Sequence, residues 1–356
     1  MTPFSAFDHA MMRRALALAE RGLYSATPNP RVGCVIARQQ AIVGEGWHEK
    51  AGAPHAEALA LAAAGGAARG ATAYVTLEPC NHHGRTPPCA DALVAAGVAR
   101  VVVAMRDPNP QAARGAERLA AAGVRFEHGL MQEEARELNI GFVSRVTRGR
   151  PWVRMKIAAT LDGRTALANG KSQWITGAEA RKDGHRWRAR ACAVLTGIGT
   201  VVADDPRLTV REIETPRQPL RVLVDSRLET PPRARILEGG NVLIFFGETS
   251  NKPPAGAETV ALPNARGKVD LPAMLAELAR RGVNELHVEA GFKLNGSLMR
   301  ERCVDELLVY LAPSLLGGAA QGMFDLPEMT ALEERVRLTI RSVDRIGEDL
   351  RIVARL

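Results

Sequence analysis

Two kinds of apolar pattern alternate along this chain, and that alternation most limits how it can fold. In the first half, short runs rich in β-branched residues, such as RVVVAM at 100–105, are separated by longer stretches with the apolar spacing of a helix. A near-continuous β-branched run is typical of a strand buried on both faces. Strands separated by helices predict a layered α/β domain with a partly parallel sheet.

The alternation is interrupted once, near residues 146–151. A helical stretch that starts near 129 loses its pattern and ends at Pro151, and a new strand starts in WVRMKIAATLDG. Strands and helices then alternate again, but the second series does not repeat the first. The sequence therefore predicts two α/β domains, residues 1–148 and 149–356, which the length of 356 residues also allows.

Composition excludes several classes of protein. No apolar run is long enough to span a membrane, and the N-terminus lacks the layout of a signal peptide. Five cysteines, an odd number without an export signal, argue against a disulfide framework, so we expect a cytoplasmic protein. The net charge of +8 is divided equally between residues 1–150 and 151–356, without a basic block. It fits small anionic substrates at least as well as nucleic acid.

One group of residues in the first half has the composition of a zinc site. His55 and Glu57 stand in HAE at the start of an alanine-rich helix, and Cys80 and Cys89 each follow a proline. Cys89 is predicted to start a helix, where the helix dipole lowers the pKa of a thiol. One histidine and two cysteines leave a fourth zinc position open, as in catalytic sites. Glu57 could then reach a zinc-activated water and transfer its proton.

This arrangement is close to the H-x-E and P-C-x-x-C motif of zinc deaminases that act on cytosine or adenine. The second cysteine comes after eight residues rather than two, and the inserted segment NHHGRTPP carries His82, His83 and Arg85. Two other interpretations remain open. His55 could be a solvated first-turn residue, and His82 or His83 could complete a closed structural zinc site.

Longer segments resemble one known family, the bifunctional riboflavin-biosynthesis deaminase/reductases. The first half carries TPNPRVGCVI, GEGWHEKAGAPHAEALAL, ATAYVTLEPCNHHGRTPPCADAL and DPNP, and the second carries KIAATLDGRTALANGKSQWIT, ADDPRLTVR, VDS and VEAG. The resemblance covers essentially the whole chain. It implies an N-terminal cytidine-deaminase-like three-layer α/β/α domain and a C-terminal dihydrofolate-reductase-like α/β domain.

The resemblance also implies two consecutive reactions. A deaminase domain, residues 1–148, would use one Zn²⁺ to hydrolyse the ring amine of 2,5-diamino-6-(5-phosphoribosylamino)pyrimidin-4(3H)-one. A reductase domain, residues 149–356, would reduce the ribosyl side chain to ribityl with NADPH. The expected partner is this small phosphorylated pyrimidine, with no nucleic acid and no membrane, and the chain is expected to form a homo-oligomer, either a dimer or a tetramer.

In the deaminase half, the resemblance assigns roles to residues of the zinc group and its surroundings. The positions that match the zinc ligands are His55, Cys80 and Cys89, and Glu57 matches the proton shuttle. The positions that match substrate contacts are Asn29, His48, His82 and Arg85. Asn29 offers a donor and an acceptor to a pyrimidine edge, and Arg85 suits a phosphate. Each of these substrate positions could instead be a plain loop residue, and DPNP at 107–110 is interpreted as a turn without chemistry.

In the reductase half, the resemblance assigns two sets of contacts. Those to the cofactor match Ala158, Trp174, Thr200, Asp204, Ser226 and a loop of Gly291, Phe292, Lys293, Leu294, Asn295, Gly296 and Ser297. Those to the substrate match Ser172, Arg188, Leu208, Arg211 and Glu289. Arg188 and Arg211 would take the ribose phosphate, and Trp174 could stack on the cofactor or lie in the core. No residue is evident as the proton donor.

Standard nucleotide-binding motifs do not support the reductase half. TGIGTVV at 196–202 has Val202 in place of the third glycine of GxGxxG, and GFKLNGS at 291–297 lacks the lysine of a P-loop. Residues 287–303 are predicted to form a strand, a glycine loop and a helix, a backbone-amide cradle that suits phosphate. A simple tight turn is the alternative.

Two rival functions remain. A zinc-dependent nucleic-acid or nucleoside deaminase with an accessory domain would share HAE and P-C, but the even charge, the eight-residue spacing and the unexplained second half disfavour it. A zinc-stapled interaction module would predict a closed site with four ligands and no turnover.

Overall fold

The computed structural model describes residues 4–81 and 88–356 of the chain. They fall into two units, Met1–Arg148 (unit 1) and Gly149–Leu356 (unit 2). Each unit has its own sheet with helices packed on both faces, so the predicted α/β class is confirmed. Among the described residues, no helix has both the length and the apolar character needed to cross a bilayer.

Unit 1 contains a five-stranded sheet of order β2-β1-β3-β4-β5. Its strands are β1 (Gly33–Arg38), β2 (Ala41–Trp47), β3 (Thr72–Leu77), β4 (Arg100–Met105) and β5 (Arg125–His128). Its helices are α1 (Ala6–Glu20), α2 (Ala56–Ala64), α3 (Cys89–Ala95), α4 (Gly115–Ala121), α5 (Gln132–Leu138) and α6 (Ile140–Arg148). β1 pairs antiparallel with β2 and β3, whereas β3, β4 and β5 are parallel.

Alternate residues of the unit 1 strands pack on opposite faces of the sheet, because the side-chain period of a strand is two. Val75, Val101 and Val103 pack on one face with α2, α3 and α4. Tyr74 and Val102 pack on the other face with α1, α5 and α6. The unit therefore has three layers, helix, sheet and helix, as expected for a cytidine-deaminase-like domain.

Unit 2 contains a nine-stranded sheet of order β11-β10-β9-β8-β12-β6-β13-β16-β15 and a separate pair, β14-β7. Its strands are β6 (Trp152–Thr160), β7 (Arg164–Ala166), β8 (Ala193–Gly197), β9 (Leu220–Val224), β10 (Val242–Phe246), β11 (Glu258–Ala261), β12 (Glu285–Val288), β13 (Glu306–Ala312), β14 (Gln321–Gly322), β15 (Thr339–Ile346) and β16 (Asp349–Arg355). Its helices are α7 (Ala178–Arg190), α8 (Ile198–Asp204), α9 (Leu271–Arg280) and α10 (Phe292–Arg300).

The seven strands from β11 to β13 in this order are parallel, and β16 and β15 continue the sheet antiparallel. α9 and α10 cover one face, while α7 and α8 lie on the other. β8 leads into α8 and β12 leads towards α10, so both helices begin at the carboxyl ends of neighbouring parallel strands. Ligands of open α/β sheets bind at this edge.

One predicted loop is wrong. Residues Gly291–Ser297 were expected to form a glycine loop, but Gly291 is the N-cap of α10 and the chain is helical from Phe292 onward. Gly296 is tolerated inside the helix because the helix packs tightly there: a Cβ at this position would lie 2.1 Å from the Asp325 carbonyl oxygen. Gly296 therefore allows close packing of the helix and does not form a turn.

Candidate active site

The start of α2 positions His55 and Glu57. A Cβ at Gly46 would lie 2.4 Å from the Ala56 carbonyl oxygen, so this glycine lets the helix approach β2 closely. His55 is the N-cap with extended backbone, and Glu57 lies in the first turn. Because His55 precedes the helix rather than lying on it, both side chains reach the same cavity although they are two residues apart.

His55, Cys80 and Cys89 form the one group in the described part of the chain whose atoms could together hold a metal ion. Nδ1 of His55 lies 3.3 Å from Sγ of Cys89 and 3.6 Å from Sγ of Cys80. In a tetrahedral zinc site, bonds of about 2.1 Å to nitrogen and about 2.3 Å to sulphur put these ligands about 3.6 Å apart. The three residues therefore fit zinc, with one position left for another ligand.

The two thiols lie where a strand ends and a helix begins. Sγ of Cys80 accepts a hydrogen bond of 3.4 Å from the backbone N–H of Cys89, the first residue of α3. The hydrogen bond from the Cys89 thiol, aided by His55, lowers the pKa of Cys80, and the same contact raises the pKa of Cys89. The pair therefore shares one proton, which metal binding releases.

Glu57 is a buried carboxyl beside these ligands, with 3% of its surface exposed. Burial, together with the negative charge of Cys80, raises its pKa to about 7. A carboxyl that titrates near neutral pH can both accept a proton and return it. In the described residues Glu57 is not part of the ligand group, which suits a proton shuttle rather than a metal ligand.

A cavity of about 250 Å³ adjoins His55, Glu57 and Cys80, and Asn29 and His48 also line it. The structure thus brings these predicted deaminase residues to one place. The other two predicted substrate contacts, His82 and Arg85, lie outside the described residues, as does His83. The size of the cavity is near the lower end for small-molecule sites, about 300 Å³.

The sequence analysis missed four residues that line this cavity, Asp107, Asn109, Phe142 and Arg145. The first two belong to DPNP, which was interpreted as a turn without chemistry. The available signal was its position directly after β4, because the carboxyl ends of parallel β3 and β4 meet at one edge of the sheet. The other two lie on α6, where the guanidinium of Arg145 is 5.9 Å from the centre of the Phe142 ring.

Glu78 fixes the wall that carries Asp107. Its buried carboxylate accepts hydrogen bonds from the backbone N–H groups of Asp107 (3.3 Å) and Ala116 (3.0 Å). It also pairs with Nε of Arg106 at 2.8 Å. Because Glu78 stands two residues before Cys80, one short segment carries both a ligand and the anchor of this wall.

In unit 2, the carboxyl ends of β8 and β12 bring two predicted cofactor segments together. A Cβ at Gly291 would lie 3.7 Å from Oγ1 of Thr200, in the first turn of α8. A Cβ at Gly197 would lie 3.0 Å from Cδ2 of Leu294. The first turn of α10 thus packs beside the β8–α8 turn, and its free N–H groups suit the phosphates of a dinucleotide.

Not all predicted cofactor residues are at this edge. Asn295 and Gly296 are buried on the face of α10 that packs against residues 323–325, where Asn295 donates to the Met323 carbonyl. Trp174 is 70% exposed, so the alternative that it belongs to the core is wrong. Its ring stacks with Arg181, whose guanidinium carbon is 4.7 Å from the ring centre.

The remaining cofactor positions lie on several elements of unit 2. Ala158 is in β6 and pairs with Tyr310 of β13. Asp204 is the last residue of α8, and burial raises its pKa. The hydroxyl of Ser226, just after β9, accepts a hydrogen bond from the Val269 N–H. In the first two turns of α10, the side chain of Lys293 is exposed. Three further residues are partly exposed, namely Phe292, Leu294 and Ser297.

The predicted phosphate anchors of the reductase lie together. Nη1 of Arg188 and Nη1 of Arg211 both donate to the Thr209 carbonyl, at 2.7 and 3.2 Å. Arg188 also binds Glu289 through two hydrogen bonds of 2.6 and 2.9 Å. Two predicted substrate contacts, Arg188 and Glu289, are therefore bound to each other. Leu208 is next to this group in sequence, but its side chain is buried in a core cluster, which leaves only its backbone for a ligand.

Ser172 stands apart from these groups in the chain, in the partly exposed segment between β7 and α7. Among the described residues, no hydrogen bond joins Ser172 to Arg188 or Arg211, so its predicted role stays a prediction.

Comparisons with known proteins cover both units. Two family models match the chain, the RibD C-terminal domain at residues 151–352 and the cytidine and deoxycytidylate deaminase zinc-binding region at residues 5–105. The chain is 47% identical to the riboflavin biosynthesis protein RibD of Escherichia coli, over 96% of this chain and 98% of that protein. It is 42% identical to RibD of Aquifex aeolicus, over 96% of this chain and 97% of that protein.

Two solved structures are similar over 98% of both chains. RibD of Acinetobacter baumannii has a TM-score of 0.91 and 42% sequence identity. A diaminohydroxyphosphoribosylaminopyrimidine deaminase/5-amino-6-(5-phosphoribosylamino)uracil reductase of Thermotoga maritima has a TM-score of 0.90 and 33% identity. The similarity therefore extends over both sites described above.

Proposed function

The chain belongs to the RibD family of riboflavin biosynthesis proteins, and from that premise we propose which of its residues carry each reaction. It is a bifunctional enzyme, a zinc-dependent deaminase and an NADPH-dependent reductase. It hydrolyses the ring amine of 2,5-diamino-6-(5-phosphoribosylamino)pyrimidin-4(3H)-one and then reduces the ribosyl side chain to ribityl. We assign deamination to unit 1 and reduction to unit 2.

In unit 1, His55, Cys80 and Cys89 hold the zinc. When bound, this ion supplies a Lewis acid that activates water for attack on the carbon that carries the amine. Glu57 accepts one proton from the attacking water on its carboxylate and delivers it to the leaving amine. The second proton of the water passes to the neighbouring ring nitrogen, so that the C–N bond breaks, ammonia departs and the carbonyl forms. The observation that carries this proposal is that His55, Glu57 and Cys80 line one cavity, while the ligand atoms of His55, Cys80 and Cys89 lie within 4.8 Å of one another.

The other cavity residues hold the substrate. Asn29 contacts the pyrimidine edge, while the phosphate requires a cation because the substrate is a dianionic monoester. Arg145 supplies that cation from α6, where it lines the cavity together with Phe142. Arg85, outside the described residues, matches the family position that contacts substrate and contributes a second cation, and His82 matches a further contact.

In unit 2, the cofactor occupies the edge formed by the β8–α8 turn and the start of α10. Thr200, Gly291 and Leu294 are the residues that best support this placement, because they pack together there. NADPH supplies the hydride, and the protein positions it against the sugar carbon. Arg188 and Arg211 hold the ribose phosphate, supported by their shared hydrogen-bond acceptor at Thr209.

A nucleic-acid or nucleoside deaminase with an accessory domain would account for the zinc group of unit 1 alone. It leaves unit 2 without a role, whereas the RibD relatives match both units over nearly their whole length. A closed structural zinc site is also disfavoured, because the ligand group borders a cavity.

A cytoplasmic location and assembly as a dimer or tetramer are further parts of this proposal, and both rest on the family resemblance. Light scattering of the purified protein at several concentrations measures the number of chains in the assembly. A particle with the mass of a single chain at every concentration would contradict it.

The function is tested on the purified full chain. We expect one zinc ion per chain by metal analysis, ammonia release from the phosphorylated diaminopyrimidinone, and NADPH oxidation that depends on the same substrate. Cys89→Ala should lose stoichiometric zinc and ammonia release, whereas Cys303→Ala, a matched buried cysteine of unit 2, should keep both. Zinc retained in Cys89→Ala, or NADPH oxidation without the pyrimidine, would contradict the proposal.

A further inference from the structure

Two hydrogen bonds run from a backbone carbonyl through His48 to Asn29. Nδ1 of His48 lies 3.1 Å from the Pro54 carbonyl oxygen, one residue before the zinc ligand His55. Nε2 of His48 lies 3.0 Å from Nδ2 of Asn29. His48 is 3% exposed, and both His48 and Asn29 line the deaminase cavity. The two bonds connect the segment that carries the zinc ligand His55 to the segment that carries Asn29.

The chemistry of the partners fixes the direction of both bonds. A carbonyl oxygen can only accept, so Nδ1 of His48 donates to Pro54. The amide nitrogen of Asn29 can only donate, so Nε2 of His48 accepts. Both ring nitrogens are then used within the protein. His48 therefore does not have a free nitrogen for the substrate, although its position matches a family substrate contact.

The same two bonds determine what Asn29 offers to a ligand. Its amide group is planar, so fixing Nδ2 against His48 also fixes the position of Oδ1. Within residues 4–81 and 88–356, no group donates a hydrogen bond to that oxygen. Asn29 lines the cavity that Glu57 also lines.

The backbone around Asn29 cannot easily move to offer the other face. Pro28 and Pro30 flank it, and each proline fixes its own φ. The next residue, Arg31, is held by the Asn139 side chain, which accepts from its N–H at 2.8 Å and donates to its carbonyl at 2.9 Å. The amide therefore sits on a rigid segment, and its orientation depends on His48.

We infer that His48 is a positioning residue that holds Asn29 with its amide oxygen towards the ligand. The deaminase cavity then selects a heterocycle with an N–H group next to the carbon that loses its amine. The inference rests on the proposed function only in placing the pyrimidine in this cavity. In a pyrimidin-4(3H)-one with an amine at C2, N3 next to that carbon carries a hydrogen, whereas the ring nitrogen next to the amine-bearing carbon of cytosine is an acceptor.

The test compares two ligands by their dissociation constants for the full-length zinc enzyme, measured by calorimetry without turnover. 2-Aminopyrimidin-4(3H)-one has a ring N–H beside its amine-bearing carbon, and 2-aminopyrimidine has none. We expect the wild type to bind the first more tightly. In Asn29→Ala and in His48→Phe, the ratio of the dissociation constant of 2-aminopyrimidine to that of the pyrimidinone should fall about tenfold, the value of one hydrogen bond.

His48→Phe keeps a ring of similar size beside His55, whose ring centre is 5.4 Å away, and removes both nitrogens. His128→Phe, at an exposed histidine of β5, is the matched control and should leave the ratio unchanged. Zinc content is measured for each variant. The inference is supported if both site variants keep zinc and lose selectivity while the control keeps both.

Every other outcome overturns one part of the inference. An unchanged ratio in Asn29→Ala means that Asn29 does not accept from the ligand. A ratio that falls in Asn29→Ala but not in His48→Phe, or zinc lost from His48→Phe, means that His48 does not act through Asn29. If the wild type binds 2-aminopyrimidine more tightly, the amide of Asn29 presents its N–H group to the ligand. If instead the selectivity holds but the phosphorylated diaminopyrimidinone is not deaminated, the proposed function fails and this inference stands.

Discussion

The ion pair of Arg188 and Glu289 allows us to predict how much stability unit 2 loses when the pair is broken. The two side chains are 12% and 16% exposed, and hydrogen bonds of 2.6 and 2.9 Å join them. Burial alone would raise the pKa of Glu289, but the charge of Arg188 holds it well below its usual range. Breaking a buried pair costs about 3–5 kcal/mol, because the remaining charge has no partner. Since both side chains keep some exposure, we expect Arg188→Met to cost about 3 kcal/mol.

Urea unfolding of unit 2 can be followed by tryptophan fluorescence in a Trp47→Phe background. The tryptophans that remain all lie in unit 2; they are Trp152, Trp174 and Trp187. The double variant Arg188→Met/Glu289→Gln removes both charges, and we expect it to regain about 2 kcal/mol relative to Arg188→Met alone.

The direction in which stability changes with pH follows from the pKa of Glu289. The depressed pKa of Glu289 stabilises the wild type above the unfolded-state pKa of about 4.3, and this stability is lost as the pH falls through the folded value. In Arg188→Met, the main opposition to burial is gone and only weaker contacts such as that with His287 remain, so the pKa of Glu289 rises. The variant is therefore least stable at high pH and recovers as the pH falls. The gap to wild type should be larger at pH 8 than at pH 5. A pH-independent gap below about 1 kcal/mol, the range of exposed pairs, would refute the reasoning.

Three further substitutions test separate parts of the two sites. Arg145→Gln should raise the deaminase KM about tenfold for the phosphorylated substrate but not for its dephosphorylated form; Arg148→Gln is the control, and equal losses with both substrates would contradict the role. Glu78→Gln places an amide N–H against a buried backbone N–H at a cost of about 1–3 kcal/mol, so deaminase kcat/KM should fall while reductase kinetics stay unchanged. Arg211→Gln should raise the reductase KM for the deaminated intermediate about tenfold, and the proposal is wrong if ammonia release falls instead.

Sequence patterns located the elements that burial determines. β4 has the predicted bounds, 100–105, because a β-branched run has no polar face and must be covered on both sides. α3 begins at Cys89 as predicted. In contrast, the apolar run AVLTGIG at 193–199 predicts a strand to residue 199, but β8 ends at Gly197, where α8 begins. The β-branched Ile198 and Val201 favour a strand locally, and their packing as part of a helix against the sheet overrides that preference.

The antiparallel pair β15 and β16 was missed for a different reason. Its residues are mostly exposed in β15, so the run lacks the apolar continuity by which the parallel strands were identified. The available signal was the alternation of apolar and polar residues on either side of Gly347, which has a positive φ of 63°.

The zinc group was predictable because few residue types bind zinc, and their spacing around a strand end and a helix start is unusual. The cavity walls were not, because Asp107 and Arg145 are common residue types in a turn and on a helix. They meet the zinc group only because β4 pairs with β3 and α6 packs on the same sheet. Proximity of this kind depends on sheet order, which local pattern does not determine.

Glu57→Gln tests the central claim most directly, since it separates the two reactions on one chain. Metal analysis, ammonia release and NADPH oxidation are measured on the same preparation, with the deaminated intermediate supplied for the last. We expect unchanged zinc, ammonia release lowered by a factor of about 10²–10⁴, and NADPH oxidation at the wild-type rate. If ammonia release stays close to that of the wild type, or if the reductase rate falls together with it, Glu57 is not the proton shuttle of a separate deaminase site.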